Sequence, residues 1–305
     1  KMTQNAATVD FQQFSIHDLK QILSEKGYCV VTKILSPTTV RRRTAEFQDW
    51  KEAIPNYEKF HKTLDPHGIH KYHEAGHTRF AWELRLDANI QKVYQDLLDT
   101  KELTTGYDGS CWIPESLTKR DNIWIHTDQA PSTVGLQCYQ SFVTLTSNKE
   151  RTLVVYEGSH LNHEDYFKER NNTSKKNWCK IDHEYLRRPE VVRQRRHVEA
   201  PAGSLVIWDS RTFHSNRYGM PLSEERLVQY ICFLPKSHPK NTEAMKRKRE
   251  KYFHERRTTS HWPYPIQVKG LQPQTYGNDT LKIDYTKLVK TDLTDLEPRI
   301  CELIK

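Results

Sequence analysis

Near the N-terminus, apolar residues recur at helical spacing and then give way to a continuous run. Ile16, Leu19, Ile22 and Leu23 fall on one helical face. Ser15 stands where an N-cap belongs, with an acidic residue three positions on, and Gly27 supplies the stop. Tyr28 to Ile34 predicts a strand, and Ser36-Pro37 places a cap and a first-turn proline for a second helix running toward Trp50. Residues 55 to 80 show no period and predict a loop-rich stretch, whereas Phe80 to Leu103 predicts a further helix. From Trp124 to Phe233 the pattern is that of strands. Within it Gln137, Tyr139, Ser141 and Val143 alternate with Leu136, Cys138, Gln140 and Phe142, which predicts a strand with one polar side facing a cavity or solvent. A charged insertion, 161 to 197, interrupts these strands. Farther on, His261-Trp262-Pro263-Tyr264-Pro265 and Leu271 to Gly277 predict an extended arm, because too few periodic apolar residues are present for a separate core. Leu288, Leu293, Leu296, Ile300, Leu303 and Ile304 predict a short closing helix. The chain reads as a single domain over 1–305, helical to about 105, β-rich from about 106 to 235, with the arm and closing helix beyond.

The chemistry sits at the ends of two predicted strands. Asp121 to Asp128 reads as a strand ending in a polar turn, and residues two apart share a side, so His126 and Asp128 can bind one metal together. A third ligand must come from a distant element, and His214 follows the apolar run Gly203 to Asp209. Two histidines and a carboxylate occupy one face of an iron(II) ion and leave three positions open. A lone His-x-Asp carries little weight in a chain with 15 histidines, so the case rests on order, spacing and flanking strands together. Arg226 lies in the β-prone stretch Glu225 to Phe233, where a charge needs a partner. Its two parallel donors suit the far carboxylate of a dicarboxylic cosubstrate, the alternative being a buried or edge ion pair. Gln137 and Tyr139 are candidates to line the cosubstrate pocket, the alternative being that they face solvent. Histidines 61, 67, 70, 73 and 77 are irregularly spaced among polar residues, which favours a solvated or substrate-lining loop over a second metal site.

Charge adds a partner question. Basic residues outnumber acidic ones 47 to 39, a net of +8, and much of the excess lies in Lys246 to Lys251, Arg41 to Arg43 and Arg193 to His197. Interspersed acidic residues favour a solvated helix face. The other reading is attraction to an anionic substrate such as a nucleic acid, a nucleotide or a CoA thioester, and Lys246 to Arg249 also resembles a weak nuclear-import run. Six cysteines form no CxxC pair. Cys29, Cys138 and Cys232 lie in apolar runs and read as small buried hydrophobes, so a reduced, cytoplasmic setting is expected, with the nucleus as alternative. The triplets at Asn171 and Asn278 match the glycosylation pattern without an export signal to support them. Lys1-Met2 reads as one foreign residue ahead of a native methionine, which would fit a complete N-terminus. No apolar run approaches the ~18 residues a membrane helix needs.

Taken in order, His126-x-Asp128, Gly158-Ser159-His160, Gly203 to Trp208, His214-Ser215-Asn216 and Arg226 resemble the phytanoyl-CoA dioxygenase-like family. Gly27 to Val31 and the helix start at Ser36-Pro37 resemble its opening, so the likeness runs from about residue 15 to about 235. It implies a mainly β chain with flanking helices (α+β), built on a double-stranded β-helix, the jelly-roll or cupin-like core. It further implies iron(II) held by His126, Asp128 and His214, with 2-oxoglutarate chelating at two open positions and its distal carboxylate on Arg226. Asn216 would orient a ligand or touch the cosubstrate. The implied reaction converts 2-oxoglutarate and O2 to succinate and CO2 while hydroxylating an unactivated C–H bond. Two departures stand out. Glu157 replaces the family's usual proline, which loosens a turn, and Thr127 stands where several members carry glutamine. Substrate identity does not carry over, because residues 55–80, 161–197 and 250–277 are variable loops. Two other classes remain open: a catalytically inactive barrel binding nucleic acid or another anion, and a barrel using manganese or zinc for isomerase or lyase chemistry. The intact triad with Arg226 favours the oxygenase.

Overall fold

Ser15 and Gly27 bound the first helix, Ile16–Lys26. The Ser15 hydroxyl accepts the Asp18 N–H at 3.3 Å, and Gly27 takes φ +80° as the C-terminal stop. A Cβ on Gly27 would lie 2.5 Å from His160 Nδ1, so the position is closed to any side chain on two counts. The strand Tyr28–Thr32 follows, and Ser36 then caps the helix Pro37–Glu52. The computed structural model describes residues 7–64, 66–119, 121–270 and 272–305; the readings resting on Lys1-Met2 and on Leu271 lie outside the described residues.

The chain divides into two compact units, the first made of residues up to Ile34 and Ile113–Arg226, the second of Leu35–Trp112 and Leu227–Lys305. The first unit carries two sheets. Its larger sheet contains, in spatial order, Thr8–Asp10, Tyr28–Thr32, Leu205–Asp209 and Tyr139–Thr144, the first pair parallel and the others antiparallel. Its smaller sheet is antiparallel, in the order Cys179–Lys180, His126–Thr127, His214–Asn216, Leu153–Tyr156 and Arg195–His197. Gln140 of the larger sheet donates to Asp128 beside the smaller one, and the Trp208 ring lies 5.3 Å from His214, so the two sheets face each other.

Alternation decides which residues enter the space between them. Ile125 and Phe213 point away, into an apolar cluster with Val154, Tyr156, Tyr166, Phe167 and Leu186. Burying each such side chain is worth about 1.5–3 kcal/mol, and a one-residue slip would turn the whole set to the wrong face. That preference holds His126 and His214 inward. The charged insertion supplies the lid of this cluster through the helices His163–Glu169, His183–Leu186 and Pro189–Val192.

Four expectations need correction. The strand read over Asp121 to Asp128 shrinks to His126–Thr127, because side chains tether the preceding segment. The Asp121 carboxylate takes the backbone N–H groups of Tyr218 and Gly219 and, at 2.8 Å, Arg217 Nε, while Trp124 Nε1 donates to Asn216 O at 3.0 Å. The helix read over Phe80 to Leu103 is two, Arg79–Arg85 and Ala88–Leu98; Asp87 caps the second by accepting from Asn89 N and Ile90 N. The stretch 55–80 holds a helix, Tyr57–Leu64. Its histidines are not solvated: His61, His70, His73 and His77 are each at most 5% exposed. Within the second unit His61 bonds Trp112 O, His70 bonds Ser110 Oγ and His77 bonds Arg257 O, among the rings of Phe47, Tyr57 and Trp112. Burial pushes His70 well below its ordinary pKa and His77 down to about 3, so both are neutral.

Elsewhere in the second unit, the helix Glu243–His254 exposes Arg247, Lys248 and Lys251 but buries Arg249, which donates to Ile304 O, Pro263 O and Asn241 Oδ1. The closing helix spans Glu297–Ile304. All six cysteines are free, and among the described residues no helix is long and apolar enough to cross a membrane.

Two predictions concern the first unit. Arg151 is fully buried and donates to the carbonyls of Pro114, Leu117, Tyr218 and Glu224. Arg151→Met should lower the unfolding free energy by about 3–5 kcal/mol, read as a fall in urea midpoint, because four acceptors lose their donor. Glu224 Oε1 accepts the backbone N–H groups of Lys149, Glu150 and Arg151 at 2.8 Å each. Burial raises its pKa, but these donors and Asn148 outweigh burial and hold it below the ordinary value. A depressed folded pKa stabilises fully above the unfolded value, and that stability is lost as pH falls through the folded one. Glu224→Gln should therefore lose stability at neutral pH and flatten the acid limb of the urea midpoint against pH.

Candidate metal centre

His126 and His214 are directly opposed in the antiparallel register, which puts both imidazoles on the inner face with ring centroids 4.5 Å apart. Asp128 lies one residue beyond the strand, where the chain turns. Thr127 Oγ1 donates to Ser210 O at 3.0 Å, Gln129 N donates to the same carbonyl at 3.1 Å, and Ser210 Oγ donates to Gln129 Oε1 at 2.8 Å. These bonds fix the turn on both sides of Asp128. Its Oδ2 lies 3.2 Å from His214 Nε2 and 3.7 Å from His126 Nε2, and the three donor atoms fall within 4.8 Å of one another.

The remaining ring nitrogens decide what these atoms can do. His126 Nδ1 lies 3.0 Å from Trp124 O and His214 Nδ1 lies 2.9 Å from Thr212 O. A carbonyl oxygen only accepts, so each neutral ring carries its proton on Nδ1 and presents the Nε2 lone pair to Asp128. Burial raises the Asp128 pKa, but His126 and then His214 outweigh it and hold the carboxyl well below the ordinary range. His214 is pushed down, by burial first and by His126 second. With both rings neutral, an ionised carboxylate and two imidazole lone pairs converge and repel one another; the rings lower the Asp128 pKa only when an Nε2 carries a proton, and a metal cation takes that proton's place. The donor set therefore fits a divalent metal, and its two-histidine, one-carboxylate composition fits iron(II). Trp124 and Trp178 stack on the His126 ring at 4.8 and 5.4 Å.

The structure brings His126, Asp128 and His214 together as the spacing suggested. Asn216 shares the inward side of its strand with His214. Arg226 is fully buried, with its guanidinium carbon 5.2 Å from the Phe142 ring centre. Gln137 and Tyr139 are placed otherwise. The Gln137 amide donates to Val134 O at 3.2 Å in the preceding loop, and Tyr139 pairs in register with Asp209, so it stands on the face away from Asp128. Burial, with Asp209 second, pushes the Tyr139 hydroxyl up to about 12. The strand residue that reaches Asp128 has the opposite parity: Gln140 Nε2 donates to Asp128 Oδ2 at 2.9 Å. A glutamine among the apolar members of the alternating set was the signal for it.

Two facing sheets around an inward two-histidine, one-carboxylate group are the arrangement of a double-stranded β-helix with a mononuclear metal site. Known proteins of that architecture match. Residues 23–217, well over half of the chain, match the profile of the family described as Phytanoyl-CoA dioxygenase (PhyH). The chain belongs to that family of iron(II)- and 2-oxoglutarate-dependent oxygenases. It is 28% identical over 180 residues to Ava biosynthesis cluster protein O of Aspergillus versicolor, covering 54% of this chain and 57% of that protein. The chain thus spans little more than half the length of this curated relative. Among solved structures it is similar to EctD from S. alaskensis with 2-oxoglutarate and 5-hydroxyectoine, at TM-score 0.52 and 17% identity over 78% of this chain and 79% of that one. It is also similar to the non-heme alpha ketoglutarate dependent carbocyclase SnoK from nogalamycin biosynthesis, at TM-score 0.51 and 17% identity over 75% and 87%. At these identities the structural likeness speaks for the fold.

The Gln140 bond yields a prediction. Gln140→Leu removes the donor that orients Asp128 and should weaken iron(II) binding about 10–100-fold, measured by metal titration of the refolded apoprotein. Unchanged affinity would deny Gln140 that role.

Proposed function

We propose that this protein is an iron(II)- and 2-oxoglutarate-dependent hydroxylase acting on an unactivated C–H bond of a small organic molecule. The observation that carries this reading is the convergence of His126 Nε2, Asp128 Oδ2 and His214 Nε2 in a buried space, with both Nδ1 protons committed elsewhere. His126, Asp128 and His214 hold the iron, and Gln140 keeps the Asp128 carboxylate turned toward it. Arg226 receives the distal carboxylate of 2-oxoglutarate: its charge is buried, its aromatic neighbour Phe142 covers one face, and a planar guanidinium matches a carboxylate through two parallel bonds. Asn216 completes the inner wall beside His214. When bound, iron(II) with 2-oxoglutarate and O2 supplies the oxidant, and the balance is substrate C–H, 2-oxoglutarate and O2 giving the alcohol, succinate and CO2. The protein's part is to orient these groups and to keep water from the reacting bond.

A small-molecule substrate is supported by the relatives: one belongs to a biosynthesis cluster, one to nogalamycin biosynthesis, and one is seen with 5-hydroxyectoine. The net charge of +8 supports an anionic substrate less strongly, because part of that charge is buried.

The test is succinate formation by the iron-loaded protein. Asp128→Ala should abolish it, and Arg226→Lys should raise the 2-oxoglutarate KM about 10–100-fold, the loss of a bidentate charged pair. Iron-dependent succinate from Asp128→Ala would overturn the assignment. A product with one added oxygen atom identifies hydroxylation; a product that has only lost two hydrogens identifies ring closure or desaturation instead.

A further inference from the structure

Trp208 lies in the strand Leu205–Asp209, is 2% exposed, and its indole N–H has no hydrogen-bond acceptor among the described residues. A buried donor left unmatched is costly and uncommon, so one beside a binding site points to an acceptor that arrives with a ligand. The register fixes where the ring stands. Trp208 is paired with Gln140, and Val206 with Phe142; directly opposed residues of an antiparallel pair share a face. Gln140 uses that face to donate to Asp128, so the indole is on the metal-site side of the sheet. Its ring lies 5.3 Å from His214 and 5.7 Å from Phe142, and Phe142 in turn lies under Arg226. The opposite face, with Ile207 and Asp209, is engaged otherwise: Asp209 pairs with Arg211 at 2.7 Å.

The indole therefore stands between a metal-ligating histidine and the aromatic ring beneath the arginine assigned to the distal carboxylate. We propose that the Trp208 N–H donates a hydrogen bond to the 2-oxo acid end of bound 2-oxoglutarate, which makes Trp208 a cosubstrate-binding residue. This rests on the oxygenase reading above. The acceptor class follows from the chemistry: a carboxylate or keto oxygen satisfies an N–H in a dry site, whereas a hydrocarbon surface leaves it unmatched.

Trp208→Phe keeps an aromatic ring and removes the donor. With iron(II) bound and oxygen excluded, the 2-oxoglutarate Kd should rise about 10–100-fold, as for loss of a hydrogen bond to a charged group. The visible charge-transfer band of the chelated keto acid should move to shorter wavelength, because a donor on the acid stabilises its acceptor orbital. Iron(II) affinity should be retained, whereas a residue that merely buttressed His214 would cost about 10–100-fold in metal binding when removed. Unchanged 2-oxoglutarate affinity and band position overturn the proposal, as does a parallel loss of iron and 2-oxoglutarate. No band from the unaltered, iron-loaded protein would defeat the oxygenase reading and this inference with it, while a normal band there with no effect of Trp208→Phe defeats the inference alone. Should the variant fail to fold, nitrogen-15 tryptophan in the unaltered zinc-loaded chain reads the same bond: an indole proton signal moves downfield on adding 2-oxoglutarate, and if none moves the proposal is wrong.

Discussion

The direct cross-strand pairing of His126 with His214 is the constraint on which the site depends. It sets two imidazoles side by side, each ring tied through Nδ1 to a carbonyl just ahead of its strand, and it is enforced from outside. Ile125 and Phe213, one residue before each histidine, are buried in the cluster capped by the 161–197 insertion, so neither strand can slip without exposing that cluster. The third ligand obeys a different rule. Asp128 is off the strand, and its direction comes from the bonds of Thr127 and Gln129 to Ser210 and from Gln140 across the interior. Register and packing thus turn the histidines inward, and hydrogen bonding fixes their rings and directs the carboxylate.

Much of this was legible in the sequence. Ser15, Gly27 and Ser36-Pro37 marked their helix ends because capping chemistry is local, and His126, Asp128 and His214 stood out as polar groups at the ends of apolar runs. What the sequence did not disclose was register. Which of Gln137, Tyr139 and Gln140 faces the cavity depends on parity, and both faces of Tyr139–Thr144 are buried, so polarity along that strand does not separate inside from outside. The pairing with Leu205–Asp209 separates them, turning Gln140, Phe142 and Trp208 inward. The histidines of 61–77 were illegible for a similar reason: rings from distant segments, Phe47 and Trp112, bury them, and no local period records that.

Net charge was the least informative feature. Arg85, Arg151 and Arg249 are fully buried, and each donates to main-chain carbonyls: Arg85 to Gly76 and Asp108, Arg151 to four carbonyls, Arg249 to Ile304 and Pro263. These cations tie loops to cores and present nothing to a polyanion. The same residue type serves two roles here, since Arg226 is as buried as these three and is assigned a carboxylate. Composition counts all four alike.

The most direct test of the central claim is anaerobic. Iron(II) and then 2-oxoglutarate are added to the metal-free protein, and the visible spectrum is followed. The expected result is a charge-transfer band of one chelated keto acid per chain, absent from His214→Ala. A folded protein that binds iron but gives no band would contradict the oxygenase reading, and a band that survives in His214→Ala would contradict the assignment of the metal to these three side chains.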